Sequence, residues 1–510
     1  MKLLIRMSAA ALLTGTAHAG TSPLSLNEAG ELANGLSRFP VFSGDGRWVF
    51  FSSDATNLVA SDTNGTTDVF ARDLLAGTVV RLSVDSAGQE VHGASGHVTH
   101  TRGQASSFDG RFVAFYSLAP DLVGDDGNSV TDLFLRDRDP DGNGIFDEPG
   151  ATTIRITRSV DGLDPDGLSG PHGLDMSSDG RWIAFYSEAT NLVEGDSNGF
   201  GDVFLYDRIA DTIRRVSIAP DGTEGDRAAL HIALSRDGRY MSYYHLSDLL
   251  TTGDSNNEAD IHFIDRDPDG NGVFDEQPWS QELISLAESG DQGDMQSRYS
   301  WQSDDGRYVV FESAATNLVT GDTNNDRDLF LRDLQLSTTQ RISVATGGAQ
   351  ALRGGRYPYV LSRDGRYTVY RSSSSDLVAD DTNNRFDVFL YDRINATTER
   401  VSRTVAGDEV NGHCQWVWLS DDNRYVAYDS EASNILPGGT PAVWQCYVFD
   451  RGGPCPGDVN RDGTVDFADL NLVLLRWNQP GPGADADASG LVDFGDLNTV
   501  LSSWSTPCGP

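Results

Sequence analysis

The chain has 510 residues and carries 76 acidic against 38 basic side chains, a formal charge of −38. A surface of that sign repels phosphates and excludes nucleic-acid binding through a basic patch. A hydrophobic content of 38%, with 9 Trp, 16 Tyr and 22 Phe, excludes a disordered acidic tail, and 54 Gly against 19 Pro suits many tight turns between short strands.

Residues 1–19 read as a secretory signal peptide. Lys2 and Arg6 form the charged start, Met7 to Thr16 a short apolar run, and Ala17-His18-Ala19 a small-x-small cleavage site. The run is too short to span a bilayer, and no later stretch is long and apolar enough to do so. The expectation is a secreted or cell-surface protein without a membrane span, or a periplasmic one, in a compartment that permits disulfides.

From residue 20 the sequence repeats. Asp-Gly-Arg stands at 45–47, 109–111, 179–181, 237–239, 305–307 and 364–366, with Asp422-Asn423-Arg424 as an altered seventh copy at similar spacing. Each turn is followed by a β-rich run such as Arg47-Trp48-Val49-Phe50-Phe51, a polar loop, a third strand such as Asp68-Val69-Phe70-Ala71-Arg72-Asp73, and a fourth ending Arg81-Leu82-Ser83. A period of about 60 built of short strands predicts propeller blades. The seventh copy lacks its fourth strand, and Pro23-Leu24-Ser25-Leu26-Asn27-Glu28-Ala29-Gly30 matches Arg81 to Gly88. The N-terminal segment is therefore expected to complete the last blade and remove the open edge. The Ser-x-Asp-Gly-Arg-x-x-Ala-Phe-x-Ser pattern resembles the TolB-like family of WD40-like propeller repeats. The resemblance implies a fold and no single activity.

Copies two and four are longer. The added segments read Asp137-Arg138-Asp139-Pro140-Asp141-Gly142-Asn143-Gly144-Ile145-Phe146-Asp147-Glu148 and Asp265 to Glu276 with the same spacing. An Asp ends the third strand in all seven copies (Asp73, Asp137, Asp207, Asp265, Asp333, Asp392 and Asp450), so a cation loop would start two positions later. Its oxygen donors would be Asp139, Asp141, Asn143, the Ile145 carbonyl and Asp147, and in the second copy Asp267, Asp269, Asn271, the Val273 carbonyl and Asp275. This resembles the calcium hairpins of integrin propellers. Shorter Asp-x-Asn segments at Asp62–Asp68, Asp196–Asp202, Asp254–Asp260, Asp322–Asp328 and Asp381–Asp387 read either as Asx-turns or as weak cation sites.

The tail changes character. Asp458-Val459-Asn460-Arg461-Asp462-Gly463-Thr464-Val465-Asp466-Phe467-Ala468-Asp469 puts oxygen side chains at loop positions 1, 3, 5, 9 and 12 and Gly at 6, the spacing of a twelve-residue calcium loop. The pattern returns at Asp485, Asp487, Ser489, Asp493 and Asp496, and each loop precedes a segment with helical apolar spacing, 470–477 and 497–504. The pair resembles a type I dockerin, the module that plugs into cohesin domains. That resemblance implies calcium at both loops, with the Thr464 and Leu491 carbonyls as added ligands, and a cohesin-like or other surface partner. Positions 10 and 11, which read the cohesin in that family, are Phe467-Ala468 and Phe494-Gly495 here, where Ser-Thr is usual.

The fold expected is mainly β: a seven-bladed β-propeller over 20–452 closed by an N-terminal strand, plus a small α-helical dockerin-like domain over 453–510. Four cysteines allow three pairings. Cys455 and Cys508 bracket the tail module, and Cys414 with Cys446 would staple the blade that lacks chain continuity. No Gly-x-Ser-x-Gly elbow and no His-Glu-x-x-His occurs, and nearly every paired carboxylate belongs to a repeated turn, whereas a catalytic pair should break the repeat. The functional expectation is an exported, calcium-binding, non-catalytic scaffold whose ring binds a partner, polysaccharide among them. The alternative is an extracellular glycoside hydrolase or lyase carried on a dockerin.

Overall fold

A computed structural model of the chain describes residues 20–96, 103–251, 253–276, 280–441 and 443–451, together with Leu470, Asn471, Val473, Leu474, Trp477, Val492, Leu497, Asn498, Val500 and Leu501 of the tail. The described strands form seven four-stranded antiparallel sheets, a seven-bladed propeller. Blade one is Ser37–Phe42, Trp48–Ser53, Asp68–Asp73 and Val79–Arg81, in sequence order from the innermost strand outward. Blades two to six repeat this arrangement. The signal peptide falls outside the described residues, and no helix among those described is long and apolar enough to cross a membrane.

The repeated turn explains itself atom by atom. Ser43 Oγ donates to Asp45 Oδ1 at 2.5 Å, the Arg47 amide donates to the same oxygen at 3.0 Å, and Gly46 takes φ 70°, a left-handed conformation that favours glycine. In the seventh copy Asn423 holds the position at φ 61°, which Asn tolerates. The Arg that follows reaches the Asp ending the third strand: Arg47–Asp73 at 2.7 Å, Arg111–Asp137 at 2.8 Å, Arg181–Asp207 at 2.8 Å, and likewise in blades four to six. Both faces of each blade are covered by a neighbouring blade, so the second strands read as unbroken apolar runs rather than alternating ones. Trp48, Phe50, Val69 and Ala71 of blade one meet Val113, Phe115 and Phe134 of blade two, all buried. Burying one such side chain stabilises by about 1.5–3 kcal/mol.

Closure occurs in blade seven, whose strands lie in the order Gly20–Pro23, Gln445–Asp450, Tyr425–Ser430, Cys414–Leu419 from the rim inward. The Leu24 amide donates to the Cys446 carbonyl at 2.8 Å, and Ser25 Oγ donates to Gln445 Oε1 at 2.7 Å. The same order corrects one expectation. Cys414 and Cys446 are free, buried thiols. Tyr425–Ser430 lies between their strands, so the two backbones are two strand spacings apart, about 9.5 Å, beyond the reach of a disulfide. Cys414 instead donates to Ser430 Oγ at 3.3 Å.

The chain divides into two compact units, the main one spanning Thr21–Val448 and the second holding Phe449–Pro510. In the second unit Leu470, Asn471, Val473, Leu474, Leu497, Asn498, Val500 and Leu501 have helical backbone and Val473, Val492 and Val500 are buried, but no continuous helix is described. The proposed calcium ligands Asp458 to Asp469 and Asp485 to Asp496, the positions Phe467, Ala468, Phe494 and Gly495, and Cys455 and Cys508 all lie outside the described residues.

Candidate functional site

Several of the described carboxylates nominated by the sequence sit in arginine-centred clusters. In the long hairpins, Asp139, Asp141 and Asn143 share one turn. Asp139 accepts the Asn143 and Gly144 amides at 3.0 and 2.9 Å, and Asn143 donates to Asp141 and Glu148. Asp147 turns away to Arg138, at 2.6 Å, and to Arg136. Arg138 has no exposed side-chain surface and lies 3.9 Å over the Trp48 ring and 4.8 Å from that of Phe146, so the inserted hairpin delivers Phe146 and Asp147 to clamp an arginine at the seam between blades one and two. The second copy repeats the device. Asp267 accepts Asn271 and Gly272, Asp275 takes Arg266 and Arg214, and Arg266 stacks on Trp182 at 3.9 Å. Ile145 and Val273 are exposed at the tips. The five donors of each hairpin are thus not gathered around one point, because the last carboxylate serves a buried guanidinium; these residues fit a calcium ion poorly.

The shorter Asp-x-Asn segments hold a built-in cation. Arg81 Nη1 stands 3.5 Å from Asp62, 3.5 Å from Asp68 and 2.6 Å from Glu90. Arg155 and Arg215 do the same in blades two and three, and Arg341 of blade five meets two carboxylates, Asp322 and Asp328, with Gln350 at the third position. In blade six, Asp381, Asp387 and Glu409 each offer an oxygen within 4.8 Å of the others, and Arg400 reaches Glu409 at 2.8 Å. Asn64 donates to Asp68 and Ser83 donates to its other oxygen. Burial, with Asp68 beside it, lifts Asp62 to about 6 despite Arg81. Burial acts on Glu90 too, but hydrogen bonds from Thr63 and Arg81 hold it down at about 2. His92 bonds Asp121 at 2.7 Å.

Two features of the ring do break the repeat, one in the turns that follow the innermost strands and one on those strands. At the turn end, the variable residue of Ser-x-Asp-Gly is Gly44, Phe108, Ser178, Arg236, Asp304, Arg363 and Asp421 in blades one to seven. The last four alternate in sign and join: Arg236–Asp304 at 3.6 Å, Arg363–Asp304 at 3.6 Å, Arg363–Asp421 at 3.2 Å, and Arg236 with Asp421. Arg236 also lies 4.7 Å from the Phe108 ring. The space left among these residues is about 30 Å³, room for about one water.

Toward the other end the inner strands carry bulges, with register shifts at Arg38/Val41, Leu230/Ile232, Arg298/Ser300, Arg356/Tyr359 and Gln415/Val417. A bulge re-aims a side chain. Phe39, His231 and Tyr299 take φ 60°, 53° and 52° there. The bulge residues touch in series: Phe39–Trp416 at 4.6 Å, Trp416–Tyr357 at 5.6 Å, Tyr357–Tyr299 stacked at 4.3 Å, Tyr299–His231 at 5.3 Å. Beside them opens a cavity of about 600 Å³, lined by Arg38, Arg327, Arg353, Arg356 and Arg371, by Glu312 and Asp326, and by Phe39, Tyr299, Tyr357, Phe386 and Trp416. Arg327 pairs with buried Glu312 at 3.1 Å, Arg356 pairs with Asp326, and Arg38 pairs with Asp429 at 3.0 Å. Arg371 donates to the Tyr357 carbonyl at 2.7 Å, and burial lowers its pKa. Arg353 is exposed and has no acidic partner among the described residues. Burial lifts Asp429 to about 6 even with Arg38 beside it. Five arginines line one cavity of a chain with charge −38, three of them paired with Asp or Glu. Sequence reading missed these residues; the departures were visible in Arg353-Gly354-Gly355-Arg356-Tyr357-Pro358 and in the aromatic at one repeat position of the first strands.

No family model matches the chain, and no curated protein matches it. Among solved structures, the chain is similar to an oligogalacturonate lyase from Vibrio parahaemolyticus at 11% identity and TM-score 0.47, over 86% of this chain and 98% of that one. It is similar to an oligogalacturonate lyase in complex with manganese at 12% identity and TM-score 0.47, over 85% and 98%. It is also similar to a TolB-like protein from Agrobacterium tumefaciens at 16% identity and TM-score 0.34, over 64% and 89%.

Proposed function

We propose that the protein is an exported, non-catalytic binding module whose ring takes an acidic oligosaccharide, and whose tail folds on calcium and docks to a cohesin-like or other surface protein. The observation that carries the first part is the 600 Å³ cavity. Guanidinium groups pair with carboxylates in a planar, two-bonded geometry, and flat aromatic faces cover the apolar faces of a ligand ring. A carboxylated sugar oligomer offers both. The cavity has the volume of a small-ligand site.

The reading of the tail rests on the oxygen spacing of Asp458, Asn460, Asp462, Asp466 and Asp469 and of Asp485, Asp487, Ser489, Asp493 and Asp496. The reading of export rests on residues 1–19. Non-catalysis rests on the engagement of the repeated carboxylates by arginine, which leaves them as structural acids.

The test is calorimetric titration of the full chain with an oligouronate and with a neutral oligomer of equal length. The uronate should bind and the neutral sugar should not. Arg353→Glu should weaken uronate binding by about tenfold, about 1.4 kcal/mol. Equal binding of both sugars, or no effect of Arg353→Glu, rejects the ligand class; turnover of the uronate, abolished by one point substitution, rejects the non-catalytic reading.

A further inference from the structure

Blade four departs from its neighbours at four positions that meet in one place. In blades one, two, three, five and six the third strand carries Phe opposite Arg on the fourth: Phe70 and Arg81, Phe134 and Arg155, Phe204 and Arg215, Phe330 and Arg341, Phe389 and Arg400. In blade four the pair is His262 and Leu283. The carboxylates stay while the guanidinium is gone. Asp254 and Asp260 occupy the positions of Asp62 and Asp68, and Gln292 stands at the Glu90 position, as Gln350 does in blade five. Asp248 stands where blade one has Thr56, and adds a charge that acts on Asp254. His245 replaces the serine that ends the second strand in the other six blades.

His262 is wholly buried, stacks on Tyr243 at 5.4 Å, and makes no hydrogen bond through either ring nitrogen. Its Nε2 stands 3.8 Å from Asp254 Oδ2, which also has no hydrogen-bond partner. That separation is too long for a hydrogen bond and suits two ligands on one ion at about 2.1 Å each. Gln292 Nε2 bridges Asp254 Oδ1 at 2.7 Å and Asp260 Oδ2 at 2.8 Å, so a half-turn of this amide presents its oxygen to the same space. The His245 ring lies 6.0 Å from that of His262, its Nε2 likewise without a hydrogen bond. Buried polar atoms are normally satisfied, and two facing orphans that can each present a lone pair mark a missing partner.

We propose that blade four binds a divalent transition-metal ion between Asp254 and His262, the ion taking the place that arginine holds in the other blades. Imidazole nitrogen with carboxylate and amide oxygen selects a first-row ion over calcium. The inference is independent of the cavity and of the tail loops.

The experiment uses the full chain, stripped with chelator and resupplied with excess Ca²⁺ so that calcium loops are filled, then titrated with Zn²⁺ by calorimetry and with Co²⁺ by visible absorption. The wild type should take up one Zn²⁺ more than His262→Phe/Leu283→Arg, which restores the pair of the other blades. Asp254→Asn should bind that ion at least about tenfold more weakly. The Co²⁺ band should be lost in both. Equal Zn²⁺ stoichiometry and affinity in the wild type and the double variant overturns the proposal. Should the double variant fail to fold, the isosteric Asp254→Asn decides alone, and unchanged Zn²⁺ binding there overturns it equally. Stabilisation by acid without metal uptake in the wild type would make the pair a proton site and also overturn it.

Discussion

A buried guanidinium facing two or three carboxylates is the unit on which five blades agree. Removing it leaves acid groups without compensation, which in buried pairs costs about 3–5 kcal/mol. Arg400 is 1% exposed, so Arg400→Leu should lower the unfolding free energy by about that amount in urea titration, and part of the loss should return on adding a divalent cation. The same clusters set the pH response. Burial lifts Asp62, Asp132, Asp196, Asp328, Asp387 and Asp429 to about 6 and Asp254 to about 7. A raised native pKa means that the folded state holds the proton more tightly than the unfolded chain, so acidification from about 7 toward about 4 favours the fold. Two buried imidazoles, His245 and His262, oppose this, since burial lowers them to about 4 and about 3, but the raised carboxyls outnumber them. Glu90, held at about 2, also works the other way: its contribution is present above about 4.5 and is lost as pH falls toward 2. The melting temperature should therefore rise between pH 7 and about 4.5 and fall below it; a maximum at or above neutrality would contradict the burial of these groups. Sequence spacing located the paired Asp of the Asp-x-Asn segments but not Glu90 or its equivalents, and left cation and turn open, because the deciding partner, Arg81 or its equivalent, stands on the next strand, outside the segment that carries Asp62 and Asp68.

At the scale of the element, the Asp-Gly-Arg turn and the apolar second strand were legible because they are local: glycine's left-handed φ, the serine–aspartate bond and the β-rich run all fall within one short stretch of chain. The match of Pro23–Gly30 to Arg81–Gly88 was legible because repetition makes a missing strand conspicuous. The Cys414–Cys446 pairing was not, since the strand between them is a fact of sheet order. Both thiols are buried and burial pushes their pKa values up. Alkylation without reductant should leave Cys414 and Cys446 untouched in the native protein and modify both in denaturant, as peptide mass mapping would show. In the long hairpins Asp147 and Phe146 hold Arg138 against Trp48 of the preceding blade. Asp147→Asn should cost about 3 kcal/mol, read as a lowered urea midpoint that calcium does not restore.

The whole molecule joins seven sheets whose binding chemistry comes from residues far apart in the chain. Phe39, Tyr299, Tyr357 and Trp416 belong to four different blades, which is why no local motif announced the cavity. If the tail folds on calcium, chelation should abolish one unfolding transition of the full chain and leave the ring's midpoint unmoved in calorimetry; a single transition unaffected by chelator would refute calcium in the tail. Closure by Gly20–Pro23 has a consequence for timing. The rim strand of blade seven is the first part of the ring to leave the ribosome, yet its hydrogen-bonding partner, Gln445–Asp450, is made after every other strand of the ring. Blades one to six can each settle on their predecessor as they emerge, but the circle stays open until that final strand arrives. Throughout that interval the exposed edge must be kept from pairing with other chains, so the demand for chaperoning falls on the two ends of the ring rather than on its middle.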